Sequence, residues 1–490
     1  MTEFEILHKD LMGRTGKLRT AHGNVETPTI MPVINPNLMS IKAEEMKRYG
    51  AEMLIANAYI IYRKEELREE AIKKGIHSFL GCEMPIMTDS GSYQLYEYKD
   101  VEVSNREILD FQQRIGSDVC VPLDIPTAPY EKRQKAKEDL EETVRRLKEA
   151  RSIIQGKMLA GVVQGSTFSD LREESAKRAA EIGFDMYAIG GAVPLLETYK
   201  FDILVDIIIS AKTNLPLNAP VHLFGAGHPM LFSLAVALGC DLFDSAAYAL
   251  YARGKRYITS EGTIKVEDLR YLPCSCPVCS AYSINELKES KDLLASHNLW
   301  ATFEEMRVVK QSIAEGSLWE LCERRCRAYP ALLSGLKQMA KYSALIEKYD
   351  PITKRSFFYL GETSAGRPEV KRYSYRLNRF KLSGNVLITA TAWSKGKDVE
   401  NEDYDHVFFV KPPFGPCPVE LAESYPVGQS EIPTEIDNEA KTVALQNVLK
   451  LLKLNNGRAK FVFLYESNWE GHPLIDEIEK HAEVRKKWLS

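Results

Sequence analysis

Through its first 250 residues the chain repeats one pattern: a short apolar run, a polar residue or glycine at its end, then a charged stretch with apolar positions at helical spacing. The runs are PTIMPV (28–33), EMLIAN (52–57), PIMTD (85–89), VCVPLD (119–124), LAGVVQ (159–164), DMYAIGG (185–191), VHLFGAG (221–227) and DLFDS (241–245). Between them lie stretches such as KAKEDLEETVRRLKEARSII (135–154) and SDLREESAKRAAEIG (169–183). The second closes on Gly183, the residue type that helix C-termini favour. Eight strands alternating with helices predict an α/β fold, a (β/α)8 TIM barrel in the first reading and a doubly wound sheet in the alternative.

A barrel would gather the C-terminal ends of its strands on one face, where such folds carry chemistry. Those ends hold Asp89, Asp124, Gln164, Gly190, Gly191 and Asp244. Each aspartate alone also reads as a helix N-cap after a strand. Three carboxylates, a carboxamide and glycine backbone converging on one mouth are harder to read as caps alone.

Beyond about residue 345 the pattern changes. NVLITATAW (385–393), HVFFVK (406–411) and KFVFLY (460–465) read as strands, EAKTVALQNVLKLLKL (439–454) and 473–487 as helices, which makes a small α+β unit. The expected division is a catalytic barrel over 1–345, with a metal-binding segment at 270–300, and a C-terminal domain over 355–490.

Composition adds limits. The N-terminus MTEFEILHKD carries charges where a signal peptide needs an apolar stretch, and no apolar run approaches the roughly 18 residues of a membrane span, so a cytoplasmic protein with no membrane partner is expected. The net charge of −4 gives no global sign of a nucleic-acid partner. From Lys354 to Lys381, however, eight lysines and arginines face only Glu362 and Glu369, interleaved with Phe357, Phe358, Tyr359, Tyr373, Tyr375 and Phe380. That stretch reads equally as a surface for phosphates and bases or as a solvated linker.

Of nine cysteines, three crowd into PCSCPVCSAY (273–282). The C-x-C-x-x-C spacing lets Cys274, Cys276 and Cys279 wrap one ion, and the first histidine downstream, His297, supplies a fourth donor. Three sulfurs and an imidazole close a zinc shell, so one structural Zn2+ per chain is expected and the chemistry lies elsewhere. Cys322 and Cys326, four apart, are competing donors or plain buried thiols.

The motifs MTDSGSYQL (87–95), PLDIPT (122–127), VVQGS (162–166), AIGGAVP (188–194), FGAGHP (224–229) and LFDSAAYALYARGKRYIT (242–259), with the cysteine cluster and HNLW, resemble the tRNA-guanine transglycosylases, and most nearly the archaeal, archaeosine-forming type. The resemblance spans roughly residues 5–340. It implies exchange of guanine at position 15 in the tRNA D arm for free 7-cyano-7-deazaguanine. Asp244 matches the covalent nucleophile and Asp89 the acid/base, with the division between the two open. Asp124 matches the residue that takes the guanine edge, Gln164 and Gly191 those that address O6, Tyr93 the stacking ring, and Ala192 and Val193 the wall around the 7-substituent. It also implies a homodimer formed beside the metal loop. KPPFGPCPVELAESYPVGQSEIP (411–433) resembles the additional C-terminal domain of the archaeal type. No segment matches the RNA-binding PUA domain that many of its members carry, which leaves a separate PUA-containing partner or the 354–381 stretch to help hold tRNA.

Three other functions compete. A tRNA-binding paralogue acting in a later archaeosine step would be expected to lose the aspartate pair, which is kept here. A barrel zinc hydrolase usually needs histidines at strand ends, and no H-x-H occurs in the chain. An inactive zinc-stabilised RNA-binding module leaves the gathered carboxylates unexplained.

Overall fold

All eight apolar runs become strands of one closed parallel barrel. The computed structural model describes residues 4–93, 103–391 and 404–487. Three strands precede the barrel, β1 (Phe4–Asp10), β2 (Gly13–Thr20) and β3 (Gly23–Thr27), and form an antiparallel sheet. The barrel strands are β4 (Thr29–Ile34), β5 (Leu54–Asn57), β6 (Ile86–Asp89), β7 (Val119–Cys120), β8 (Met158–Val163), β9 (Met186–Ile189), β10 (Val221–Leu223) and β11 (Leu242–Ser245). They pair in chain order, and β11 closes on β4 with Leu242 opposite Thr29. Helices Arg133–Ile153 and Ser169–Ile182 fill the two stretches read as amphipathic, and Gly183 ends the second at φ +83°. The doubly wound alternative is excluded by the closure.

The N-terminal sheet was not foreseen. Phe4, Leu18 and Val25 pack into the same cluster as the barrel-interior Met31, Ile55, Met87, Val162 and Leu242, so the sheet closes the end of the barrel opposite the mouth. Arg14 on β2 grips Asp241, just before β11, through two 2.8 Å bonds. Asp118, just before β7, accepts from the Ile86 amide, His77 Nε2 and His22 Nδ1 at 2.8, 3.0 and 2.6 Å.

After the barrel come the hairpin β12 (Arg256–Thr259) and β13 (Gly262–Lys265) and the helix Lys291–Glu315. The chain divides into two compact units, the first running to Ala314 with Arg324–Met339 added, the second comprising Glu315–Glu323 and the chain from Ala340.

The second unit contains β14 (Phe357–Phe358), β15 (Gly384–Ala390), β16 (His406–Lys411), β17 (Gly415–Pro418), β18 (Ser430–Glu431), β19 (Ala459–Tyr465) and β20 (Glu483–Lys486). Five of them form a sheet in the order β17-β16-β15-β19-β20. Helix Asn438–Leu454 packs on it, capped by the Asp437 carboxylate. Of the strand read at 385–393, Ala392 and Trp393 lie outside the described residues. The expected helix over 473–487 is only partly formed: Leu474–Glu479 is helical, but Glu483–Lys486 pairs parallel with β19, because the edge of that sheet offers ladder partners that a polar helix tail would lack.

The basic stretch also departs from expectation. Lys354, Arg367 and Arg372 point inward: Lys354 to Asp350 and Glu369 (2.7 and 2.9 Å), Arg367 to Glu320 and Glu369 (2.5 and 2.7 Å), Arg372 to Glu347 and Asp350 (2.7 and 3.2 Å). Phe357 and Tyr359 are core residues, with Tyr373 packed against them. Arg355, Lys371, Arg379 and Lys381 remain exposed. Removing one member of a buried ion pair strands its partner, so Arg367→Ala is expected to destabilise the second unit by about 3–5 kcal/mol and Lys371→Ala by less than about 0.5 kcal/mol. Urea unfolding of the two variants checks this, and equal costs would place both residues at the surface.

Candidate active site and metal centre

The barrel brings five of the strand-end residues singled out from sequence to one mouth. Asp89 ends β6, Asp124 lies four residues past β7, Gln164 follows β8, Gly191 follows β9, and Asp244 sits within β11. Asp89 Oδ2 accepts from Asn57 Nδ2 at 3.1 Å and from the Gly91 amide at 3.3 Å. Asp244 Oδ1 accepts from His222 Nε2 and the Gly225 amide, both at 2.8 Å. Asp124 Oδ2 accepts from Gln164 Nε2 at 2.5 Å. The chain turns tightly here: a Cβ on Gly227 would lie 1.8 Å from Ser245 Cβ, so only glycine lets the loop after β10 pass β11.

Electrostatics separates the carboxylates. Burial, with the charges of Asp124 and Asp244 nearby, pushes Asp89 up to about 7. Burial raises Asp124 as well, but hydrogen bonds from Ser92 and Gln164 pull it back toward the ionised form. A carboxyl that titrates near neutrality beside others held by donors is the arrangement that lets one group move protons while another stays charged.

Asp124 and Gln164 sit over a buried support. Arg172 reaches the carbonyls of Ser166, Val163 and Gly190 at 2.8–2.9 Å and fixes the backbone around the mouth. Gly191 has φ +70°, and a Cβ there would meet Gln164 Oε1 at 3.2 Å and Arg172 Nη2 at 3.3 Å. Among the described residues both of those atoms are buried without a hydrogen-bond partner. Ala192 is fully buried and Val193 half-buried beside Gly225. Tyr93 is half-buried four residues past Asp89, while Gln94 and Leu95 of the same motif lie outside the described residues.

The cysteine cluster lies after the β12–β13 hairpin. The Sγ atoms of Cys274, Cys276 and Cys279 and one nitrogen of His297 all lie within 4.8 Å of one another. His297 Nδ1 is 3.5 Å from Cys276 Sγ and 3.2 Å from Cys279 Sγ, close to the roughly 3.5 Å edge of a tetrahedral shell with sulfur and nitrogen ligands. Nε2 of His297 is 3.0 Å from the Ile258 carbonyl, which leaves Nδ1 as the donor atom. Tyr257 stacks on the imidazole at 3.6 Å and places its hydroxyl 3.3 Å from Cys279 Sγ. These four donors can hold a metal ion with no position left for a reacting water. Cys322 and Cys326 are fully buried and lie outside the cluster.

A parallel (β/α)8 barrel with carboxylates gathered at its mouth, and a Cys3His cluster able to hold a metal ion on a post-barrel loop, is the architecture of a TIM-barrel enzyme. The family model described as Queuine tRNA-ribosyltransferase matches residues 10–331. A tRNA-guanine(15) transglycosylase of Methanosarcina acetivorans is 56% identical over 491 residues, 99% of each chain. The protein of that name from Archaeoglobus fulgidus is 47% identical over 96% of this chain and 97% of its own. That from Methanocaldococcus jannaschii is 49% identical over 89% of this chain and 69% of its own. The chain belongs to the tRNA-guanine transglycosylases, a family of transferases, and to their archaeal type.

Several residues at the mouth escaped the sequence reading. Asn57 ends the second apolar run and His222 stands inside the seventh, positions that the strand pattern marked without assigning a partner. Arg172 read as one more charge on an amphipathic helix, and only the fold buries it.

The raised carboxyl has a consequence for stability. Below the ordinary carboxylate range Asp89 is neutral in folded and unfolded chains alike, and its favourable neutral burial is lost as pH rises through about 7. Asp89→Asn is therefore expected to gain stability over the unsubstituted protein between about pH 4 and pH 8, by on the order of a few kcal/mol, and to gain nothing below pH 4. Urea melts at several pH values measure this; a difference that stays flat would mean that Asp89 titrates like an exposed carboxyl.

Proposed function

We propose that this protein exchanges guanine at position 15 of the tRNA D arm for free 7-cyano-7-deazaguanine, through a covalent intermediate on Asp244. The observation that carries the reading is the pairing of Asp244, ionisable and held on one oxygen by two donors, with Asp89, raised to about 7 at the same mouth. Leaving of the base develops oxocarbenium character at ribose C1′, which the Asp244 carboxylate captures. Asp89 in its neutral form protonates the departing guanine, and as carboxylate it takes the proton of the incoming base.

Base recognition falls to the supported platform. The Asp124 oxygens suit the N1–H and exocyclic amine of a guanine-like edge, the second hydrogen of Gln164 Nε2 and the Gly191 amide suit O6, and Tyr93 stacks on the ring. The short apolar pair Ala192–Val193 leaves room for a linear nitrile rather than a branched amine. The reading includes a homodimer, a cytoplasmic setting, and a separate PUA-containing protein as an aid to tRNA binding. No described helix is long and apolar enough to cross a membrane.

Radiolabelled guanine incubated with tRNA and enzyme tests the reaction. Asp244→Asn and Asp89→Asn are expected to fold and to incorporate less than roughly one per cent of the unsubstituted level. Residual activity above that in Asp244→Asn would remove Asp244 from the nucleophile's role.

The metal is assigned as one structural Zn2+, held by Cys274, Cys276, Cys279 and His297, since three thiolates and an imidazole complete its preferred shell. Cys276→Ser and His297→Ala are expected to lower zinc content and melting temperature together, read by metal analysis and calorimetry. A zinc-free variant as stable as its parent would mean that the cluster does not hold this part of the fold.

A further inference from the structure

We propose that His222 is the positioning residue for Asp244: with the Gly225 amide it fixes one carboxylate oxygen so that the other attacks, and it steadies the carboxylate when the adduct breaks down. The inference rests on the base-exchange reading above. His222 is fully buried on β10, next to β11, with Leu242 opposite it in the parallel register. Asp244, two residues beyond Leu242, projects from the same face of its strand one step nearer the mouth. Imidazole Nε2 and the Gly225 amide both reach Oδ1 at 2.8 Å, while Oδ2 takes no hydrogen bond among the described residues. His222 Nδ1 is buried without a partner, so the ring's hydrogen belongs on Nε2, where an acceptor waits. The imidazole and Phe224 rings pack at a steep angle with centroids 4.5 Å apart, which limits the rotation of the imidazole.

The two halves of the exchange use this geometry differently. In the first, an Oδ2 lone pair forms the bond to ribose C1′ as the C1′–N9 bond breaks; the bonding pair leaves with guanine, which takes its proton from Asp89. Asp244 is then an ester whose carbonyl oxygen is Oδ1, still held by both donors. In the second, N9 of the incoming base attacks C1′, the C1′–Oδ2 bond breaks, its electron pair returns to the carboxylate, and the base gives its proton to Asp89. The charge reappears on a group whose donors are already in place, so no reorganisation is needed at that moment.

The test compares variants with and without the donor. His222→Gln places an amide N–H near the Nε2 position; His222→Leu fills the space without one, and His222→Met replaces it if the leucine variant does not fold. Melting curves and metal content establish folding. In guanine incorporation, the glutamine variant is expected within about threefold of the unsubstituted kcat, and the donor-free variant about 10- to 100-fold below it with KM for tRNA little changed. On denaturing gels the donor-free variant is expected to accumulate the covalent enzyme–tRNA adduct, because breakdown of the adduct is slowed. Equal kcat in the glutamine and donor-free variants, or a loss confined to KM, would overturn the assignment. An unsubstituted enzyme that incorporates no guanine would instead defeat the base-exchange reading itself, an outcome read before any His222 variant is made.

Discussion

The mouth of this barrel depends on one electrostatic constraint: the Asp89 carboxyl is desolvated beside the charges of Asp124 and Asp244. Desolvation and those two charges both favour the protonated form of Asp89, and burial acts in the same direction on Asp124. Asp244 has two short donors on one oxygen, and Asp124 is drawn back toward its charged form by Ser92 and Gln164. Asp89 accepts at longer range, 3.1 Å from Asn57 and 3.3 Å from the Gly91 amide, and it is the group displaced to about 7. Two aspartates at the ends of apolar runs three strands apart in the barrel are thus distinguished by hydrogen-bond supply.

Holding like charges together requires a scaffold that does not relax. The far end of the barrel is sealed by the N-terminal sheet, whose Phe4, Leu18 and Val25 join the barrel-interior cluster, and is tied down by the Arg14–Asp241 pair and the donors on Asp118. Beyond the barrel, Asn298, next to the metal-facing His297, bonds to the backbone of Tyr248, Arg256 and Ile258. The helix that presents His297 is therefore stitched to the segment just after Asp244. The Cys3His cluster is thereby tied to the same stretch of chain that carries Asp244.

The second unit shows how a charge count misleads. Eight cations in 354–381 read equally as a phosphate-facing surface or a solvated linker, yet Lys354, Arg367 and Arg372 are matched inside by Asp350, Glu369, Glu320 and Glu347. Glu320 and Glu347 stand before the stretch in sequence, so a count within it could not include them. The polar tail Glu483–Lys486 misled in the same way, since its strand partner β19 is set by the sheet and not by its own side chains.

The sequence by itself determined eight strands alternating with helices, because a strand buried on both faces must be apolar over its length and its end must turn polar, and eight such runs can be counted; that they close into a barrel rather than a doubly wound sheet was decided by the tertiary pairing of β11 with β4. It also determined the residues at the strand ends and three cysteines of one loop with a histidine on the following helix as a donor set, while the fold set the competing Cys322 and Cys326 apart from it. Tertiary structure decided what no local pattern contains: that an N-terminal sheet plugs the barrel, that Arg172 supports the mouth from beneath, and that His222 rather than solvent meets Asp244. Each of these is a contact between residues distant in sequence, fixed when the barrel closes, and its chemistry depends on burial and on a partner's distance, which exist only in the folded chain.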